Sequence, residues 1–396
     1  MKLDTETFRL SERGGFAKKA LIAGVIGLVV TVVAWFLDSA RFYHAWLTAF
    51  AFWISLSLGA LFFTMLHHLT GAQWSTVIRR MSESFLAPFP YMAIFFVPII
   101  FGMHDLYHWT HEEAIAHNPI LEWKTPYLNQ TFFVIRAAIY FAVWIFLSRR
   151  LYGFSKAQDE GHSPELLAKM RSTSAWGMVI FALTITFAAF DWLMSMEPMW
   201  YSTIFGVYFF SGGLLSAVCL ITLTALWLRR RQVLDTAITR EHYHDLGKLV
   251  FGFIIFWGYI GFSQYMLIWY ANIPEETSWY LMRWEGSWKA VSLLMILGYF
   301  SIPFLITIFR ATKRSLGLLG FMVVWLLLMH WVDMYWLVFP TWSGADGNAH
   351  FHWMDLSAVV GIGGIFLWAF WSRYAAGPLV PVRDPKLPQS LSHVNF

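Results

Sequence analysis

The chain holds one cysteine, Cys219, among 396 residues. A lone thiol excludes an intrachain disulfide, a CxxC metal site and an iron–sulfur cluster held by this chain alone. Charge is scarce too. Asp, Glu, Lys and Arg make up 13% of the residues, against about 25% in soluble domains. Walker, dinucleotide-binding and zinc motifs are absent. No apolar segment carries paired histidines about four turns apart, the spacing that holds two haems at two depths of a bundle. What is abundant is apolar surface: hydrophobic residues reach 58% and mean hydropathy is +0.53. A soluble fold cannot hide that much from water, so the bilayer must be the solvent for most of the chain.

Ten stretches have the length of about 20 apolar residues that crosses a hydrocarbon core as helix. They are 17–37, 43–66, 87–108, 127–147, 173–196, 201–228, 247–270, 288–309, 315–338 and 356–376. The first is too long for a cleavable leader and reads as a signal anchor. Of 28 Lys and Arg, 23 fall in the two tails and the loops after the second, fourth, sixth and eighth stretches. Arg41, Lys124, Arg283 and Lys289 fall on the other side, and Arg136 lies inside the fourth stretch. This bias puts both termini in the cytoplasm. It also explains the net charge of +4 without nucleic acid, which is not expected as a partner. The opposite loops are acidic, with Glu112, Glu113, Glu122, Glu275, Glu276, Glu285 and Asp346. They read as the mere absence of positive charge or as a docking face for a basic or polar partner. Many of the 23 tryptophans lie near stretch ends, as interfacial anchors do.

Asp191, Pro198 and Trp200 at the end of the fifth stretch recur as Asp333, Pro340 and Trp342 at the end of the ninth, each 142 residues later. The matching stretches are four apart and so share an orientation. The expected fold is an all-α integral membrane protein with two parallel four-helix bundles, stretches 2–5 and 6–9, and two peripheral helices. The units are 1–42, 43–198, 199–342 and 343–396. Ser55 to Gly59 and Ser211 to Ser216 resemble each other, and their small residues would permit close helix approach. Pro98 and Pro303 should kink their helices.

Ionisable groups inside a bilayer need a partner or a wet cavity. One layer of them lies near the acidic loops: His104, Asp105, Arg136 and Asp191 in the first unit, Gln264, His330 and Asp333 in the second. They read as internal ion pairs, as a proton relay, or as a pocket for a polar headgroup such as a quinone. At the opposite ends, His67 and His68 close the second stretch, Glu83 follows Arg79 and Arg80 in a loop, and His242, His244 and Asp245 open the seventh. These could be the entrance of a proton path or merely solvated headgroup-region residues.

The segment from Trp74 to Glu83, with Phe190-Asp191-Trp192 and Glu197-Pro198-Met199-Trp200, resembles the NrfD/polysulfide-reductase membrane-subunit family. Within it, the likeness is to the shorter of two such subunits in alternative complex III, a bacterial quinol:electron-acceptor oxidoreductase. The resemblance implies the inner membrane, an iron–sulfur subunit, multihaem and monohaem cytochrome c subunits, a sister membrane subunit and small membrane subunits as partners. It implies electrons from menaquinol, with haems and clusters held by those partners, and a proton-conducting or scaffolding role here. It assigns no quinone ligand or metal ligand to this chain. A secondary transporter built from parallel repeats, or a passive anchor, are the competing readings.

Overall fold

The computed structural model describes residues 1–161, 163–342 and 348–395. Asp346 lies outside them. Among the described residues, ten helical segments are long and apolar enough to cross a membrane: Phe16–Trp35, Ser39–Thr70, Thr76–Phe101, Gln130–Glu160, Pro164–Met196, Phe205–Arg230, Arg240–Ala271, Trp288–Thr307, Leu316–Thr341 and Trp353–Tyr374. They are spans 1 to 10, one for each expected stretch. The chain is thus a multi-pass helical membrane protein. It is not wholly helical, because Lys2–Asp4 and Arg9–Glu12 pair as a small antiparallel hairpin. The backbone N–H of Leu379 donates to Phe8 O, which ties the hairpin to the C-terminal segment.

Several ends differ from expectation. Span 2 begins at Ser39, where the Asp38 carboxylate caps Arg41 N–H, so a unit boundary at residue 43 would cut its first turn. The largest shift is in span 3. Helix Thr76–Ser84 precedes the expected start at 87, and its nine residues are all buried. Turn residues before Phe89 break the span, and two short helices follow, Phe89–Phe95 and Val97–Phe101. Pro98 sits at the start of the second, where its missing N–H is tolerated. In span 8 the segment Met295–Ser301 is wound as π-helix. Pro303 follows it and cannot donate to the carbonyl of Tyr299 four residues back, which loosens the α ladder there.

Spans 2 and 6 are the most enclosed, with 83% and 89% of their apolar windows buried. Span 2 packs on spans 5, 6, 9 and 10, and span 6 packs on spans 2, 5, 7 and 9. Small residues make the central crossing possible, as their sequence suggests. A Cβ on Gly59 would lie 2.7 Å from Ala217 Cβ and 2.8 Å from Gly213 C. Span 1 packs chiefly on span 10. There Thr31 Oγ1 donates to Ser357 Oγ at 2.9 Å.

Candidate functional site

The two repeat-related aspartates are both buried, at 0% and 1% exposure, but their surroundings differ. Asp191, near the end of span 5, faces Arg136 of span 4. Arg136 Nε donates to Asp191 Oδ2 at 2.7 Å and Nη2 donates to Oδ1 at 2.9 Å. Tyr140 Oη donates to Oδ2 at 2.7 Å and Tyr127 Oη to Oδ1 at 3.0 Å. Each oxygen therefore accepts from one guanidinium N–H and one phenol. Tyr127, ahead of the span, also stacks under the guanidinium, 3.9 Å from ring centroid to Cζ. Its burial, and then the carboxylate beside it, push its phenol up, which keeps it a donor. The charge is paired and every strong acceptor position is used.

Asp333, in span 9, has no cation in hydrogen-bond reach among the described residues. Tyr208 Oη of span 6 donates to Oδ1 at 2.5 Å and Trp257 Nε1 of span 7 to Oδ2 at 3.3 Å. One helical turn back, His330 Nδ1 lies 4.0 Å from Oδ2. His330 Nε2 pairs with Ser55 Oγ of span 2 at 2.8 Å, and Nδ1 lies 3.3 Å from Tyr299 Oη in the π-helical segment of span 8. Four spans besides span 9 thus contribute to this pair. Gly212 makes room for it: a Cβ there would lie 3.1 Å from His330 Cε1 and 3.4 Å from Asp333 Oδ2.

Gln264, expected beside this pair, points elsewhere. Its Oε1 accepts from Ser202 Oγ at 3.0 Å and its Nε2 donates to Tyr280 Oη at 3.1 Å. His104 and Asp105 are exposed in the chain and do not join Arg136 and Asp191. The span-3 helix breaks turn them outward, and His104 stacks on His111 at 4.0 Å between centroids. Near the same ends Arg283 is unexpectedly buried. It donates to the carbonyls of Trp279, Trp336 and Leu337 at 2.9–3.1 Å, closing the end of span 9. Burial pushes its guanidinium down to about 9, so it stays charged at neutral pH. Glu197, which resists that fall, is itself pushed up by burial.

At the basic ends, Arg79, Arg80 and Glu83 do not lie in a loop. Helix Thr76–Ser84 buries them, and Glu83 is 0% exposed. Glu83 pairs with Arg79 at 3.0 Å and Arg80 at 3.5 Å, and accepts from Ser155 Oγ at 2.8 Å. Asp384 takes Arg79 at 2.5 Å and Asp159 takes Arg80 at 2.6 Å. The i, i+4 spacing of Arg79 and Glu83 and the apolar face of Val77, Ile78 and Met81 were sequence signals for this helix. His67 belongs to the group, with Nδ1 2.7 Å from Ser75 Oγ and Nε2 3.4 Å from Arg79 Nη1. His68 is buried beside it. His242, His244 and Asp245 do open span 7, where His242 Nδ1 accepts from Thr239 N–H at 3.1 Å. Asp245 Oδ2 lies 2.6 Å from His393 Nε2. The C-terminal tail links the two groups, since Ser390 Oγ accepts from Val77 N–H at 3.1 Å.

No protein-family model matches the chain, and no curated protein matches it.

Proposed function

We propose that this chain is a membrane subunit of a quinol:electron-acceptor oxidoreductase complex of a bacterial inner membrane, and that Asp333 with His330 is its proton-holding pair. The asymmetry of the two aspartates carries the second half of this reading. Asp191 is tied to Arg136 and completes an ion pair. Asp333 has an imidazole as its titratable neighbour, at 4.0 Å. That distance is just beyond a direct hydrogen bond, so a proton passes between carboxyl and imidazole only when a side chain turns to close the gap, and it does so with no charge leaving the interior. Hydroxyls continue on both sides: Ser55 and Tyr299 at His330, and Tyr208 at Asp333. Ser202, Gln264 and Tyr280 form a further hydrogen-bonded group near the acidic ends. The buried group around Glu83 would be the entrance at the basic ends.

The first half rests on the family resemblance. In this reading spans 2–5 and 6–9 are parallel four-helix units that meet through spans 2 and 6. Spans 1 and 10 are a peripheral pair, and both termini are cytoplasmic. The 142-residue repeat, the packing of spans 2 and 6 and the one-sided basic loops support it. Menaquinol would be the electron donor. Iron–sulfur and cytochrome c subunits, a sister membrane subunit and small membrane subunits would be the partners that hold clusters and haems.

The test is purification from native membranes in mild detergent, with mass spectrometry of companions and a haem spectrum. Stoichiometric c-type cytochromes and an iron–sulfur protein are expected. A lone chain or homo-oligomer, under conditions that preserve other respiratory complexes, would overturn the complex and favour a transporter. Within the assembled complex, Asp333→Asn should abolish proton coupling or turnover. Unchanged coupling and turnover would leave a passive anchor.

A further inference from the structure

We infer that one face of span 4 is a binding site for an anionic phospholipid, with its phosphate held at the basic ends of the spans. This goes beyond the proposed function and does not depend on it. Two concavities lie in series along that face. The first, of about 480 Å³, is lined by Ala142, Ile145, Phe146, Arg149 and Arg150. The second, of about 260 Å³, includes Tyr152, Lys156, Asp159 and Glu160 of the same helix. Residues 145, 149, 152 and 156 follow the three- and four-residue steps of one helix face. From Ala142 to Asp159 the helix advances about 25 Å at 1.5 Å per residue, close to the depth of one leaflet with its headgroups. The first concavity, with Ala142, Ile145 and Phe146, therefore suits an acyl chain, and Arg149 and Arg150 mark its end toward the polar one.

The polar concavity has the charge and the vacancies of a headgroup site. Arg80, Arg373, Lys156 and Arg9 bring four positive charges to its wall, and Asp159 and Glu160 two negative ones. Glu83 pairs with Arg80 and with Arg79, which Asp384 also holds, so five basic and four acidic groups meet there. One positive charge is left over, the complement of a single phosphodiester. Arg373 lies over the Tyr152 ring, 4.8 Å from its centroid, which fixes the guanidinium at the wall. Arg373 Nη1, Arg80 Nε and Tyr374 Oη are buried donors with no hydrogen-bond partner among the described residues, and Tyr374 is 1% exposed. Turned into the concavity these donors fit phosphate oxygens, and the Asp159 carboxylate at the wall can accept from a headgroup hydroxyl. Phosphatidylglycerol offers both on one molecule. Basic pockets between membrane helices bind anionic headgroups by the same chemistry.

The experiment is native mass spectrometry of the full chain, delipidated in detergent and titrated with phosphatidylglycerol, phosphatidylcholine or inorganic phosphate. The chain should retain phosphatidylglycerol in clear preference to phosphatidylcholine. Arg373→Gln with Lys156→Gln should weaken phosphatidylglycerol roughly thirtyfold, the factor expected for two basic residues at an anionic lipid surface. Arg231→Gln, a basic residue of another loop at the same ends, should leave that preference intact and controls for charge alone. Ala142→Trp fills the apolar concavity from an exposed position and should weaken the lipid without touching the charges. Equal retention of both lipids, or a preference unchanged in the double variant, would overturn the site. Inorganic phosphate that displaces phosphatidylglycerol, with Ala142→Trp silent, would identify a free-phosphate site and overturn the lipid.

Discussion

Asp191→Asn and Asp333→Asn are the same change at repeat-equivalent places, and they should have unequal costs. At Asp191 four donors converge on two carboxylate oxygens at 2.7–3.0 Å. An amide keeps one of those oxygens and turns the other into an N–H₂ facing donors. Arg136 is then left buried without its counter-charge. Removing one partner of a buried pair costs about 3–5 kcal/mol. At Asp333, among the described residues, only Tyr208 and Trp257 donate. An asparagine oxygen can keep one of them, the Tyr208 hydroxyl can rotate to accept from the amide, and no cation is orphaned. The cost there should be about 1 kcal/mol, that of one neutral hydrogen bond. The assay is reversible unfolding in mixed detergent, with the Arg136→Gln single variant and the Asp191→Asn/Arg136→Gln double completing a cycle. The double should cost at least about 2 kcal/mol less than the sum of the singles, as coupled buried pairs do. Additive costs, or equal losses at Asp191 and Asp333, would refute the reasoning that separates a structural aspartate from a functional one.

Two further outcomes are expected. Gly59→Ala would force span 2 off span 6, because the new methyl meets the Gly213 backbone and Ala217 Cβ at 2.8 and 2.7 Å; a loss of about 1–3 kcal/mol is expected in the same unfolding assay, and a neutral result would mean the spans do not cross there. Glu197 has its proton affinity raised by burial, so the unfolded chain loses that proton first as pH rises and stability falls from just above the ordinary carboxylate range until the native group ionises too. Glu197→Gln should flatten that fall, read as Tm against pH, and an identical slope in both proteins would show that Glu197 does not cause it.

The ten spans were legible because each needs only length and apolarity, which are properties of consecutive residues. The small residues of spans 2 and 6 announce that some helix approaches closely, but only the packing shows that they approach each other. Span 3 was misjudged at its start. Arg79, Arg80 and Glu83 read as polar loop because their counter-charges, Asp159 and Asp384, lie 79 and 305 residues away from their partners. The burial of Arg283 leaves no mark in the sequence for the same reason, as its partners are backbone carbonyls, two of them at the end of span 9. Gln264 was placed at the right end of its helix, but a helix face is assigned only by what packs on it. His104 and Asp105 were drawn inward by hydropathy alone, which cannot see a helix break.

Composition and hydropathy by themselves determined that this is a multi-pass helical membrane chain, and the recurrence of Asp, Pro and Trp marked the two places where buried charge matters. Both aspartates look alike in sequence, each a carboxylate inside an apolar helix. Only the tertiary structure decided that Arg136, Tyr127 and Tyr140 surround the first, while Tyr208, Trp257 and His330 surround the second. Charge pairing acts over a few ångströms of space, and partners at that range can be separated by any number of residues along the chain.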